Sequence, residues 1–157
     1  MGFDGKKLIQ TIILNEEKTG ELYTSLAEKM TDKKAKNLFT KLASDEFKHK
    51  DIYTKLLENL PGEGIVELDE DELKYTESLI ENNIFDASGI KKRFVKEDAM
   101  ILAEKIERDA ILFVGQLKTL YPELAKDELA IITREEKKHL QFVLDKKFNA
   151  TVGLIGL

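Results

Sequence analysis

Apolar side chains recur at helical spacing in four long stretches of the chain, with polar residues on the opposite faces. The first stretch, from about Asp4 to Met30, places Ile9, Ile12, Tyr23, Ala27 and Met30 along one side. Thr31-Asp32 then offers a cap and a turn into a second helix. That helix runs to about Leu60 through Phe39, Leu42, Tyr53 and Leu56, and Pro61-Gly62-Glu63-Gly64 stops it. A third pattern begins near Lys96 and reaches Leu120 through Met100, Ala103, Ile111, Val114 and Leu117. Tyr121-Pro122 marks a tight connection, because proline suits the first turn of a helix. The fourth helix runs to about Phe148 through Leu129, Ile132, Leu140 and Val143.

Helices of this length span about 37 Å. The first and second, and the third and fourth, are joined by short connections, so each pair is expected to form an antiparallel hairpin. Pro61 to Lys96 is 36 residues, enough to travel the length of the bundle as a crossover. Within it, Asp69 to Phe85 reads as a shorter helix opened by the acidic run Asp69-Glu70-Asp71-Glu72, and Asp86-Ala87-Ser88-Gly89 as a turn. The competing reading, a disordered linker between two domains, is disfavoured because neither hairpin could bury enough surface alone. The expectation is an all-α chain: a four-helix bundle of two antiparallel hairpins, one domain over residues 1–157. The apolar tail 149–157, with Thr151-Val152-Gly153-Leu154-Ile155-Gly156-Leu157, is too short to fold alone and is expected to pack on the bundle or on a second subunit.

Composition narrows the chemistry. The chain is 42% hydrophobic and 35% charged, with no apolar run long enough to span a membrane and no secretory layout at its start, so cytoplasm is the default location. Net charge is −5 and the lysines alternate with glutamates, which disfavours nucleic acid as a partner. There is no cysteine, which removes disulfides, thiolate catalysis, Cys-ligated zinc and iron–sulfur clusters together. Any metal must be held by carboxylate and imidazole, and the chain has only two histidines.

Both stand in the same context. Glu46-Phe47-Lys48-His49 lies on the second helix and Glu136-Lys137-Lys138-His139 on the fourth, the two motifs 90 residues apart. Glu46 follows Glu16 by 30 residues and Glu136 follows Glu107 by 29, so the two hairpins repeat each other around their polar residues. A carboxylate and an imidazole three apart project from one helix face, and here that face is the apolar one. Glu16 lines up with Ile9, Ile12 and Tyr23, and Glu107 with Met100, Ala103 and Val114. Gly20 and Ala110 follow the two lone glutamates by one turn and would leave space inside. A lone Glu-x-x-His is commonly a solvated surface pair. Four glutamates facing one core are different, since each buried, unpaired carboxylate costs several kcal/mol or more. Two divalent cations would balance the four charges, with one imidazole completing each site. Such a ligand set suits iron, or manganese, better than zinc, and one Glu from each of two helices plus Glu-x-x-His from the other two is the arrangement of ferritin-like di-metal bundles.

On these motifs, Glu16-x6-Tyr23, Glu46-x2-His49, Glu107 and Glu136-x2-His139, the chain resembles the ferritin-like superfamily, most closely the rubrerythrin group, from its first helix to about Phe148. The resemblance implies that Glu16 and Glu107 are terminal or semi-bridging ligands, Glu46 and Glu136 bridge two irons, and His49 and His139 cap one each. It implies that Tyr23 hydrogen-bonds beside the cluster; the alternative is a core aromatic with its hydroxyl satisfied elsewhere. Rubrerythrins carry an extra glutamate three residues after the third-helix ligand. Here that place is Ala110, unless Glu104 is the ligand and Glu107 the extra one; the internal repeat favours Glu107, because Glu104 corresponds to Ile13. No haem is expected, since Phe47 stands where bacterioferritins place a haem-binding Met.

The resemblance implies a redox enzyme that reduces hydrogen peroxide or O₂. Typical rubrerythrins add a Cys-rich rubredoxin domain, and with no cysteine here the electrons are expected from a separate donor protein or from substrate Fe(II). The first alternative is a ferroxidase or iron-handling protein, and the second a binding or scaffold bundle with structural metals. Family members commonly dimerise, so the resemblance implies a homodimer.

Overall fold

A computed structural model describes residues 1–83 and 96–154. Four long helices form the bundle: α1 (Gly5–Lys29), α2 (Lys33–Glu58), α4 (Lys96–Leu120) and α5 (Lys126–Leu154), with the shorter α3 (Glu70–Glu81) in the crossover. α1 packs along α2 and α4 along α5 as two hairpins, which meet through α1 against α4 and α2 against α5. Aspartates open three of the helices by accepting from backbone N–H groups that would otherwise lack a partner: Asp4 from Lys6, Asp32 from Ala35 and Asp69 from Glu72. No helix among the described residues is long and apolar enough to cross a membrane.

The core is split along the bundle axis. One apolar cluster contains Leu8, Ile9, Ile12, Tyr53, Leu56, Val114, Leu117, Leu129 and Ile132. The other contains Tyr23, Leu26, Phe39, Leu42, Met100, Ala103 and Val143. The glutamates and histidines singled out above lie between the two in sequence on every helix. They therefore form a polar layer across the middle of the bundle, walled by hydrocarbon on both sides.

The structure departs from the sequence-based expectations at the connections. A two-stranded antiparallel ribbon, β1 (Gly2–Asp4) with β2 (Ile65–Glu67), was not expected. Pro61-Gly62-Glu63-Gly64 does end α2, and it also turns the chain back toward the N-terminus, with Gly62 and Gly64 at φ 59° and 83°. The Gly64 carbonyl accepts from the Gly5 amide at 2.9 Å and from the Tyr121 hydroxyl at 2.5 Å. Tyr121 is thereby anchored, and the chain turns through Leu124 and Ala125 (φ 42°) before α5 begins at Lys126, not at Pro122. α3 ends at Glu81 and so is shorter than expected; Asp86–Gly89 lies outside the described residues. Gln116 on α4 holds α3 down by donating to Glu72 and Thr76 at 2.7 and 2.8 Å. At the other end the backbone of α5 continues as far as Leu154, so most of the apolar tail prolongs the last helix. No proline interrupts it there, and a single glycine is tolerated in a helix.

Candidate metal centre

Six side chains from four helices meet in the polar layer. Glu16 comes from α1, Glu46 and His49 from α2, Glu107 from α4, and Glu136 and His139 from α5; each is at most 4% exposed. His49 Nδ1 lies 3.0 Å from Glu136, 3.5 Å from Glu46 and 3.6 Å from Glu16. His139 Nδ1 lies 2.9 Å from Glu46, 3.4 Å from Glu136 and 3.7 Å from Glu107. The two imidazoles are nearly parallel, 23° apart in plane, with centroids separated by 6.0 Å. Ligand atoms fall into two groups, each contained within 4.8 Å: Glu16, Glu46, His49 and Glu136 in one, and Glu46, Glu107, Glu136 and His139 in the other. Glu46 and Glu136 belong to both.

Each histidine turns Nδ1 to the cluster and Nε2 away from it. His49 Nε2 meets Glu135 at 2.7 Å, and His139 Nε2 meets Asp45 at 3.1 Å, so each ring is oriented by an acid on the opposite hairpin. Asp45 is itself held by Lys41 at 2.9 Å. Neither acid was singled out from the sequence, although each immediately precedes the glutamate of a Glu-x-x-His motif, at the same 90-residue offset. Tyr23, fully buried, donates its hydroxyl to Glu107. Its hydroxyl is thus satisfied beside the cluster and not elsewhere in the core.

The charges divide the carboxylates into two pairs. Burial, with the charges of Glu136 and Glu46 adding to it, pushes the Glu16 carboxyl well above the ordinary range. Burial beside Glu46 and Glu136 does the same to Glu107. Burial also opposes ionisation of Glu46 and Glu136, but hydrogen bonds prevail, from Glu16 and both histidines at Glu46 and from the histidines at Glu136, and both are held below the ordinary range. Burial works against the imidazolium forms as well, yet Glu136 and Glu46 push His139 up to about 11 and, joined by Glu16, raise His49 further. With both imidazoles and the Glu16 and Glu107 carboxyls raised, protons offset the buried negative charge of the cluster.

The family model for rubrerythrin matches residues 7–147. The chain belongs to the rubrerythrin family. No curated protein matches it. Among solved structures, a Thermotoga maritima chain provisionally described as a ferritin-like diiron-carboxylate protein has the same fold, with a TM-score of 0.70 over 94% of this chain and 97% of that one, at 20% identity. The fold is thus the ferritin-like four-helix bundle.

For a rubrerythrin-family centre, the residues present fit a pair of metal ions. Glu16, Glu107 and Glu136 each keep one buried carboxylate oxygen with no hydrogen-bond partner, an arrangement that costs free energy unless a cation completes it. The donor set is all oxygen and imidazole nitrogen, which suits iron, and the two four-residue groups sharing Glu46 and Glu136 match a bridged pair. Glu104 lies in neither group: it is paired with Arg108 on its own helix at 3.0 Å. Of the two small residues expected to make room, Ala110 borders the cluster, but the space at Gly20 is taken by the Phe47 ring, which a Cβ there would meet at 2.7 Å. Gly20 therefore serves helix packing on the outer side of α1 and α2.

Proposed function

We propose that the protein is a di-iron carboxylate oxidoreductase that reduces hydrogen peroxide. The observation that carries this reading is the near-equivalence of the two halves of the site: one imidazole, one terminal glutamate and both shared glutamates for each ion. Such symmetry suits a pair of ions that change oxidation state together. Two ferrous ions would supply the two electrons that hydrogen peroxide takes up, with two protons, on becoming two waters.

The chain's own residues would do the rest. Glu46 and Glu136, ionised and shared, keep the two positions at a fixed spacing. Glu135 and Asp45 hold each ring so that Nδ1 faces inward. Tyr23 steadies the Glu107 carboxylate and brings a hydroxyl proton to the edge of the site. The hydrocarbon clusters on both sides exclude bulk water. No cysteine stands among these 157 residues, so the reading takes its electrons from a donor outside them. Manganese in the same ligands is a variant of this proposal.

Mixing the reduced, iron-loaded protein anaerobically with hydrogen peroxide, and separately with O₂, tests it. Oxidation far faster with peroxide supports the proposal. Ready oxidation by O₂ with continued turnover of added Fe(II) would instead establish a ferroxidase. Oxidation by neither would leave a bundle whose metals are structural.

A further inference from the structure

A small, largely enclosed cavity lies on the α1–α4 side of the cluster. Its walls include Asn15, Glu16 and Thr19 from α1 and Glu107, Ala110 and Phe113 from α4. Its volume of about 10 Å³ admits only the smallest guests, of one or two heavy atoms. The opposite, α2–α5 side of the site is closed by the histidines and the acids that bind them. The cavity is thus the place where the polar layer has room for a small guest.

Its polar lining is unusual. Among the described residues, five buried side-chain oxygens lack a hydrogen-bond partner, and three of them, on Asn15, Glu16 and Glu107, belong to residues that line this cavity. Bound metal would engage the two glutamates. It would not engage Asn15, a residue only 8% exposed. Thr19 is already committed, donating its hydroxyl to the Asn15 backbone carbonyl at 2.7 Å. Asn15 Oδ1 is therefore the acceptor left over, and a buried acceptor without a donor is costly to keep.

We infer that Asn15 is the specificity-determining residue of this centre: its amide receives a hydroxyl-bearing guest in the α1–α4 cavity and so favours hydrogen peroxide over O₂. The inference rests on the peroxide reading above and deepens it. Hydrogen peroxide carries two O–H donors and O₂ carries none, so the amide oxygen discriminates between oxidants of similar size. The cavity also has no room for an alkyl group, which sets organic hydroperoxides aside. Ala110 keeps the cavity open, because a longer side chain at that position would fill it.

The test compares the wild-type protein with Asn15→Leu and Ala110→Leu, each assayed for iron per chain, for melting temperature without metal, and for the rate of ferrous-site oxidation by peroxide and by O₂. Asn15→Leu removes an unpartnered acceptor and inserts a better helix former, so its metal-free melting temperature should hold or rise. The ratio of peroxide to O₂ rates should fall about tenfold, the worth of one lost hydrogen bond to the guest. Ala110→Leu should slow both oxidants about tenfold by occupying their space, with iron content unchanged. A wild-type rate ratio in iron-loaded Asn15→Leu would overturn the inference, and so would wild-type rates in Ala110→Leu, which stands as the test if Asn15→Leu does not fold. A wild-type chain that binds no iron would defeat the di-iron reading and this inference with it. Two irons in every variant with unaltered rate ratios would defeat the inference alone.

Discussion

Each histidine of the cluster places both ring nitrogens against carboxylates, and without metal this makes protons the counter-charge. Metal uptake must expel those protons. Iron or manganese binding should therefore release protons, and affinity should rise with pH; a pH-stat or calorimetry in buffers of different ionisation heat measures it. The metal-free protein should behave in the opposite way. His139 has its folded value raised from 6.5 to about 11, so its contribution is fully present below pH 6.5 and is lost as pH rises through 11. Glu46 and Glu136, held below 4.5, contribute above that value and lose their contribution as pH falls through their folded values. Glu16 and Glu107, raised above 4.5, add stability below that value that is lost as pH rises through their folded values, so denaturant titrations of metal-free protein should show stability peaking near pH 4.5 and falling on both sides. Asp45→Asn should weaken metal binding by about 10- to 100-fold, and Glu135→Gln by less, since Glu135 is more exposed and exchanges its hydrogen bond with water more readily. The six cluster residues were legible in the sequence because two histidines in identical contexts leave few ways to be coincidental. Asp45 and Glu135 were not, because an acid in a chain that is 35% charged reads as solvated surface.

At the scale of elements, the four long helices followed from apolar periodicity, which twenty-five residues express many times over. The ribbon of β1 and β2 did not, because three residues per strand are too few to establish a period of two. What fixes the ribbon is a contact that local pattern does not encode: Tyr121 reaches over Gly5 to the Gly64 carbonyl. A Cβ at Gly5 would lie 1.8 Å from the Tyr121 hydroxyl. Gly5→Ala should accordingly destabilise the protein by about 2 kcal/mol through overpacking. Gly115, inside the C-terminal half of α4 with open space where its Cβ would be, is the control: Gly115→Ala should stabilise by about 0.5–1 kcal/mol. Urea unfolding of the two variants beside wild type reads both signs.

For the whole molecule, the arrangement is a compromise between stability and a site. A continuous core would join the two apolar clusters, whereas here a layer of buried acids and imidazoles separates them. Ions that bind this layer only in the folded state raise stability by mass action, so the melting temperature should climb with ferrous or manganous ion concentration and fall back when a chelator is added. The most direct check of the central claim is metal content per chain, measured on protein reconstituted with Fe(II) and freed of loosely bound ions, for wild type and for Glu46→Ala and Glu136→Ala. Two irons per wild-type chain, and a loss of stoichiometric iron in both variants, is the result predicted from shared ligands. A wild-type chain without stoichiometric metal, or variants that retain two irons, would contradict it.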